Sequence, residues 1–432
     1  MRPVNVGILG LGTVGSGTFT VLGRNRAEMA RRIGRDIQVV MAAERDLAQV
    51  TLASTDGVSL VDDAFQVVSA PAVDIVVELI GGDTIAKDLV MQAIRNGKHV
   101  VTANKALIAK YGNEIFAAAE AQGVCVGFEA AVAGGIPIVK AIREGLAGNK
   151  IEWLAGIING TGNFILTEMR DKGRDFESVL AEAQALGYAE ADPELDVGGG
   201  DAAHKLTILA SLAFGMPLCF SDCYMEGITN ITQQDVAYAE ALGFRIKHLG
   251  IAAKREAGVE LRVHPTLIPE TQLIANVNGV MNAVLVQGDA VGETLYYGAG
   301  AGAEATGSAV IADIVDIART IEGEPAHRVP SLAFQADAIT ALPVLPIAQI
   351  DSAYYVRLST DAQASRMTDI AQIFGEQGIG IDSMMQKGEE ASVIVLTQIT
   401  REANLDSALD KIQAKHLVTG DIMRIRVAYL NG

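Results

Sequence analysis

Short apolar runs alternate with stretches suited to helix over the first 130 residues or so. Val4 to Gly10 (VNVGILG) is an apolar run ending in glycine, and LGTVGSGTF and a helical stretch follow. A polar segment rich in arginine (Arg24, Arg26, Arg31, Arg32, Arg35) precedes a second apolar run, Ile37 to Ala43, which leads into Glu44-Arg45-Asp46. Residues 73–80 (VDIVVELI) read as a third strand closed by Gly81-Gly82. Thr84 to Arg95 reads as a helix with Asn96-Gly97 as its stop. His99 to Thr102 is a fourth strand, Glu114 to Ala121 a helix and Val124 to Glu129 a fifth strand. This alternation predicts an α/β fold: a Rossmann-type, doubly wound parallel sheet covered on both faces.

After Gly135 the rhythm changes. A helix around Pro137 to Glu144 leads to a strand near Trp153 to Ile158, then helices near 163–172, 175–187 and 201–215. Residues 245–297 are strand-rich, which predicts a mixed sheet with helices on one side, a second domain of α+β type. Gly302 to Thr320 reads as a helix returning to the first domain. ALPVLPIAQ at 341–349 carries two prolines and reads as a linker. Beyond it, strands at 353–359, 379–386, 392–399 and 422–428 and helices at 366–377 and 405–414 give βαββαβ, a ferredoxin-like order. The expected domains are 1–135 completed by 300–340, then 136–299, the linker, and 350–432.

Composition narrows the function. The chain has 432 residues, is 50% hydrophobic and 20% charged, and so is not a disordered protein. A net charge of −18 disfavours nucleic acid as a partner, since phosphate binding rests on Lys and Arg. The apolar stretch Leu206 to Ser221 contains Gly215 and Pro217, so no membrane span is expected. No leader is read before the first strand, and a cytoplasmic location is expected. Three cysteines (Cys125, Cys219, Cys223) are too few and too poorly spaced for a zinc site, and suit a reducing compartment.

Five segments carry candidate chemistry. Gly10-Leu11-Gly12-Thr13-Val14-Gly15 is G-x-G-x-x-G between a strand and a helix, the context of a dinucleotide fingerprint. Gly10 allows the tight turn, Gly12 a close approach to pyrophosphate, and Gly15 close helix–strand packing. After the second strand, Glu44 could bond a ribose diol and Arg45 a 2′-phosphate; Arg45 is favoured, giving NADP with NAD as the alternative. Lys105, in TANK past the fourth strand, is either a cleft residue or a solvated surface lysine. Gly187 to Lys205 (GYAEADPELDVGGGDAAHK) holds Glu190, Asp192, Glu194, Asp196 and Asp201, and its three glycines read as a flexible approach to a helix capped by Asp201. Lys205 lies one turn on, entering a nearly all-apolar helix, and is costly to bury unless paired. It is a candidate proton donor. Finally, FEAAVAGGIP at 128–137 offers Glu129 and a glycine-rich backbone whose carbonyls could hold a monovalent cation, or a plain strand-to-helix turn.

Taken in order, GLGTVG at 10–15, TANK at 102–105, FEAAVAGGIPI at 128–138, NGTGN at 159–163, the 187–205 segment and YYGAGAG at 296–302 resemble homoserine dehydrogenase. The tail resembles an ACT domain, as in the longer bacterial forms. The resemblance implies reversible hydride transfer between NAD(P)H and L-aspartate 4-semialdehyde, giving L-homoserine, in threonine, methionine and isoleucine biosynthesis. It implies that Lys205 is the proton donor and that Lys105 faces substrate and cofactor. Glu190 would take the substrate amino group, with Asp196, Asp201 and Thr161 lining the same pocket. Gly10, Gly12, Thr13, Val14, Gly15 and Gly302 would hold the nucleotide, and Glu129 with the carbonyls of Val132, Gly134 and Ile136 a sodium ion. A homodimer or homotetramer is implied. One departure stands out: Ser359 to Met367 lacks the glycine usual in an ACT effector turn, so the tail is expected to assemble subunits more than to sense an amino acid. A cysteine-dependent mechanism is disfavoured, because Cys125 lies inside an apolar strand and Cys219 has no obvious histidine partner.

Overall fold

A computed structural model describes residues 2–52, 54–361, 365–387 and 392–430. The chain runs β1 (Val4–Leu9), α1 (Thr13–Arg24), α2 (Arg26–Ile33), β2 (Ile37–Ala43), β3 (Ser59–Val61), α3 (Ala64–Ser69), β4 (Ile75–Glu78), α4 (Ile85–Arg95), β5 (His99–Thr102), α5 (Lys105–Gln122) and β6 (Val126–Gly127). There follow α6 (Ile138–Lys140, prolonged by a π-turn at Ala141–Gly145), β7 (Ile151–Ile157), α7 (Gly160–Lys172), α8 (Phe176–Ala185), α9 (Glu194–Val197) and α10 (Gly200–Phe214). Next come β8 (Tyr224–Met225), α11 (Gln233–Ala241), β9 (Phe244–Arg255), β10 (Gly258–Pro269), β11 (Met281–Gly288), β12 (Gly292–Ala299) and α12 (Ala303–Thr320). The tail adds β13 (Asp351–Ser359), α13 (Ser365–Glu376), β14 (Ile381–Lys387), β15 (Ser392–Thr397), β16 (Thr400–Arg401), α14 (Glu402–Ala414) and β17 (Ile422–Val427).

Two compact units emerge. The first comprises 1–160, 204–222 and 280–342. Its parallel sheet has the order β3-β2-β1-β4-β5-β6, the doubly wound topology. Strands β1, β4 and β5 are buried almost throughout, which is why they read as continuous apolar runs. Asn104 starts α5: its side chain accepts the Leu107 N–H at 3.0 Å, and Gly123 in the left-handed region ends it. The helix therefore begins at Lys105, earlier than the Glu114 expected from hydrophobic periodicity. Three elements escaped the pattern, among them the six-residue α3. Strand β3 has only three residues, and α2 buries Met29 alone, so neither shows a readable apolar face. Antiparallel β7, β11 and β12 complete this unit, as does α12, which packs on α1.

The second unit comprises 161–203, 223–279 and 343–432. Its sheet runs β9-β10-β17-β13-β15-β14, with β8 on β10. The last four strands carry the ferredoxin-like order, with α13 and α14 packed together. Strand β17 pairs parallel to β10, Thr266 opposite Arg426 and Leu267 opposite Val427. One apolar core joins Ile165, Leu166, Met169 and Phe176 to Tyr355, Ile394, Ile425 and Val427. The proline-rich stretch before the tail is not slack here: the N–H of Val259 donates to the Pro343 carbonyl, and Leu345 returns a bond to Val259. The middle of the glycine-free turn, residues 362–364, lies outside the described residues.

Candidate active site

The nucleotide turn stands at the carboxyl end of β1. Gly10 has φ +89°, and a Cβ on Gly15 would lie 2.0 Å from the Gly10 carbonyl oxygen. Both positions therefore exclude any side chain. A Cβ on Gly12 would instead meet nothing within 4 Å, leaving open space before the first turn of α1. Thr13, Val14 and Gly15 form that turn, whose N–H groups favour an anion. Glu44, just past β2, accepts the Leu11 N–H at 2.7 Å and the Arg45 N–H at 2.9 Å, and Arg45 is exposed. These residues fit a dinucleotide.

Lys105 is the first residue of α5, half-buried. The strand next to β5 carries a group that pattern reading missed. Glu78, wholly buried at the end of β4, accepts the Thr102 hydroxyl at 2.6 Å and the N–H groups of Ile80 and Gly81 at 3.0 and 3.3 Å. Burial raises its pKa against the pull of these donors. The signal was available: it is the acid at the end of the apolar run VDIVVELI. Its bonds brace the loop after β4, to whose Gly82 carbonyl the Asn104 of TANK donates.

Lys205 lies on α10, one turn after Asp201, and both are buried. Its ammonium donates to the Ile158 carbonyl at 2.7 Å. Asp201 stands in the first turn of the helix rather than at the cap, because the helix already begins at Gly200. Nor are the three glycines slack. Gly199 has φ +96°, with Val263 and the His248 ring 3.2–3.5 Å from where its Cβ would be. Glycine is needed here for close packing rather than for flexibility.

In the second unit, the Thr161 hydroxyl donates to the Tyr188 carbonyl at 2.7 Å, two residues before the exposed Glu190. The Glu190 carbonyl accepts from Gln184 at 3.0 Å. Asp196 lies on the short α9. Thr161, Glu190, Asp196 and Asp201 thus belong to the second unit, and every other candidate residue to the first.

Glu129 is buried, and its two carboxylate oxygens each accept a backbone N–H at 2.9 Å, from Val139 and Lys140. Its own N–H donates to Asp313, a buried partner on α12 that the sequence reading also missed. Burial and the mutual repulsion of two acids push Glu129 up to about 7, and burial lifts Asp313 to about 6. Val132, Gly134 and Ile136 follow; a Cβ on Gly134 would lie 2.5 Å from the Gly300 carbonyl oxygen, so this turn abuts the glycines before Gly302. Gly302 itself, at φ +124°, opens α12. Burial raises the thiol pKa of Cys125 and brings Cys219 up to about 11, which suits inert thiols.

A parallel sheet with this glycine turn, and a buried lysine within the same unit, places the chain among the NAD(P)-dependent oxidoreductases. Residues 10–129 match the homoserine dehydrogenase NAD-binding domain, and residues 137–315 match homoserine dehydrogenase itself. Homoserine dehydrogenase of Pseudomonas aeruginosa is 59% identical over the whole of both chains, and that of Neisseria gonorrhoeae 54%. The crystal structure of a homoserine dehydrogenase from Thiobacillus denitrificans is 60% identical, with a TM-score of 0.96 over 100% of this chain and 99% of that one. A hyperthermophilic archaeal homoserine dehydrogenase in complex with NADPH is 26% identical, with a TM-score of 0.63 over 75% of this chain and 99% of its own. The chain belongs to the homoserine dehydrogenase family. Among the described residues no helix is long and apolar enough to cross a membrane.

Proposed function

We propose that the enzyme interconverts L-homoserine and L-aspartate 4-semialdehyde with NADP(H) as its preferred nucleotide and Lys205 as its proton donor. The observation that carries this reading is Lys205 itself, an ammonium buried on an apolar helix and aimed by the Ile158 carbonyl. The nucleotide, when bound, supplies the hydride that reduces the aldehyde carbon. Lys205 gives a proton to the aldehyde oxygen as charge develops there, yielding the primary alcohol; in the oxidation it takes that proton back. Glu190 binds the substrate ammonium, and Asp196, Asp201 and Thr161 complete the polar lining. Lys105 adds a second positive charge toward substrate and nucleotide. Replacing Lys205 by Met should lower kcat by about 10² to 10⁴ and leave nucleotide affinity unchanged. Normal turnover in that variant would remove the lysine from the reaction.

Three finer assignments belong to the same reading. Glu129, with the Val132, Gly134 and Ile136 carbonyls, holds sodium; the two adjacent buried acids support this, since a cation relieves their repulsion. Added sodium should raise the melting temperature of the wild type but not of Glu129→Gln. The tail is an ACT-type domain, supported by its βαββαβ order. The enzyme works in the cytoplasm, in threonine, methionine and isoleucine biosynthesis, as a homodimer or homotetramer. The exposed Val291 and Tyr297 on and beside the β12 edge support self-assembly, which sedimentation tests.

A further inference from the structure

Resting on the assignment of Asp196 and Asp201 to substrate, we propose that Arg426 and Glu226 are positioning residues that clamp the segment carrying those two aspartates. Arg426 lies on β17, near the end of the chain, and is 1% exposed. Its guanidinium donates to Glu402 through Nε at 2.8 Å and through Nη2. Through Nη1 it donates to Glu226 at 2.7 Å. It also lies 5.1 Å over the Tyr224 ring, whose hydroxyl donates to the same Glu226 oxygen at 2.9 Å. A buried arginine shared between two carboxylates is rigid, because every shift breaks a charge-assisted bond.

Glu226 is held by its backbone as well. Its N–H donates to the Val263 carbonyl at 2.9 Å, and its own carbonyl accepts from His248 Nε2, also at 2.9 Å. The next two residues press directly on the substrate segment. A Cβ on Gly227 would lie 2.6 Å from the Val197 carbonyl oxygen and 3.0 Å from Gly198 Cα. The N–H of the fully buried Ile228 donates to the Val197 carbonyl at 2.9 Å. His248 closes the arrangement, its ring walling Gly199 while it bonds Glu226. Val197 to Gly200 lie between Asp196 and Asp201, and the three glycines among them have no side chains with which to anchor themselves. The residues packed against them set their position, and Arg426 fixes Glu226 among these.

The test uses the full chain. In Glu226→Ala, Arg426 keeps Glu402 as its partner, so the fold should survive while the clamp opens. Amide exchange over residues 195–201 should accelerate. The KM for homoserine should rise about three- to thirty-fold, with kcat and the nucleotide KM changing less than about two-fold. Arg426→Met should behave likewise, and Arg426→Lys should recover part of the loss. If Arg426→Met does not fold, Glu226→Ala decides alone. Unchanged exchange over 195–201, or an equal rise in both KM values, would overturn the clamp. Should Asp196→Asn and Asp201→Asn leave the homoserine KM unchanged, the substrate reading fails separately, and the exchange rates still judge the clamp.

Discussion

Glu44 and Leu11 are joined across the nucleotide turn: the carboxylate of one accepts the N–H of the other at 2.7 Å. The second carboxylate oxygen takes the Arg45 N–H. The acid past β2 is therefore tied into the glycine turn, while the Arg45 side chain is the exposed charge beside it. An acid committed to backbone amides braces the loop and is less available to a ribose hydroxyl.

Arg45 should accordingly set nucleotide preference. A 2′-phosphate held by arginine gains a charge-assisted bond worth about 1.5–3 kcal/mol. Arg45→Ala should cut kcat/KM with NADPH roughly ten- to a hundred-fold and spare NADH. Equal losses with both nucleotides would make Arg45 structural.

Glu190 should govern substrate affinity. The exchange Glu190→Gln keeps the shape and removes the charge proposed to bind the substrate ammonium. The homoserine KM should rise about ten-fold or more, while the nucleotide KM moves little. Steady-state kinetics with both substrates varied checks this, and an unchanged homoserine KM would shift the ammonium site to another acid.

Lys247 should make stability depend on pH. It lies wholly buried on β9, donating to the Val277 carbonyl at 2.6 Å and to Asn163 and Asn278 at 3.3 and 3.2 Å. Burial pulls its pKa down to about 7; Arg170 and Arg245 add to this and Asp171 opposes it. The unfolded chain therefore binds the extra proton between about 7 and 10.5, so the folded state gains stability as pH rises through that window. The gain approaches 1.4 kcal/mol per pH unit, about one proton's worth. In Lys247→Met, urea midpoints should lose that slope relative to wild type. Parallel pH profiles would show that the amine stays charged in the fold.

The tail should prove inseparable from the second unit. Arg357 makes two bonds, of 2.6 and 3.0 Å, to the buried Asp235, which also accepts the Tyr355 hydroxyl and caps α11 with Thr232. Removing one partner of such a pair costs about 3–5 kcal/mol, so Asp235→Ala should shift the urea midpoint strongly. Truncation after Gln349 strips the cover from Ile165, Leu166 and Met169 and should yield aggregated protein on gel filtration. A soluble, active truncated enzyme would refute the shared core.

Much of this is legible in the amino-acid sequence. The β1–α1 turn, the Asn96-Gly97 stop and the βαββαβ tail follow from glycine positions, caps and apolar period, all of which act within a few residues. What escaped has a common cause. Strand β3 and helix α2 bury too little to leave a period, and Glu78 and Asp313 look in sequence like ordinary acids until their neighbours are known.

The sequence by itself therefore determined the local elements, the nucleotide turn and the isolated lysine on an apolar helix, because each rests on short-range sterics or on the cost of burying a charge. Only the tertiary structure decided which charges share a partner. Arg426 meets Glu402 across 24 residues and Glu226 across 200, and β17 joins β10 through only two residue pairs. Apolar period says which side of a strand faces inward. It does not say which strand lies alongside, since any covered edge removes the same area from water; that choice falls to the buried polar groups, which are satisfied in one arrangement.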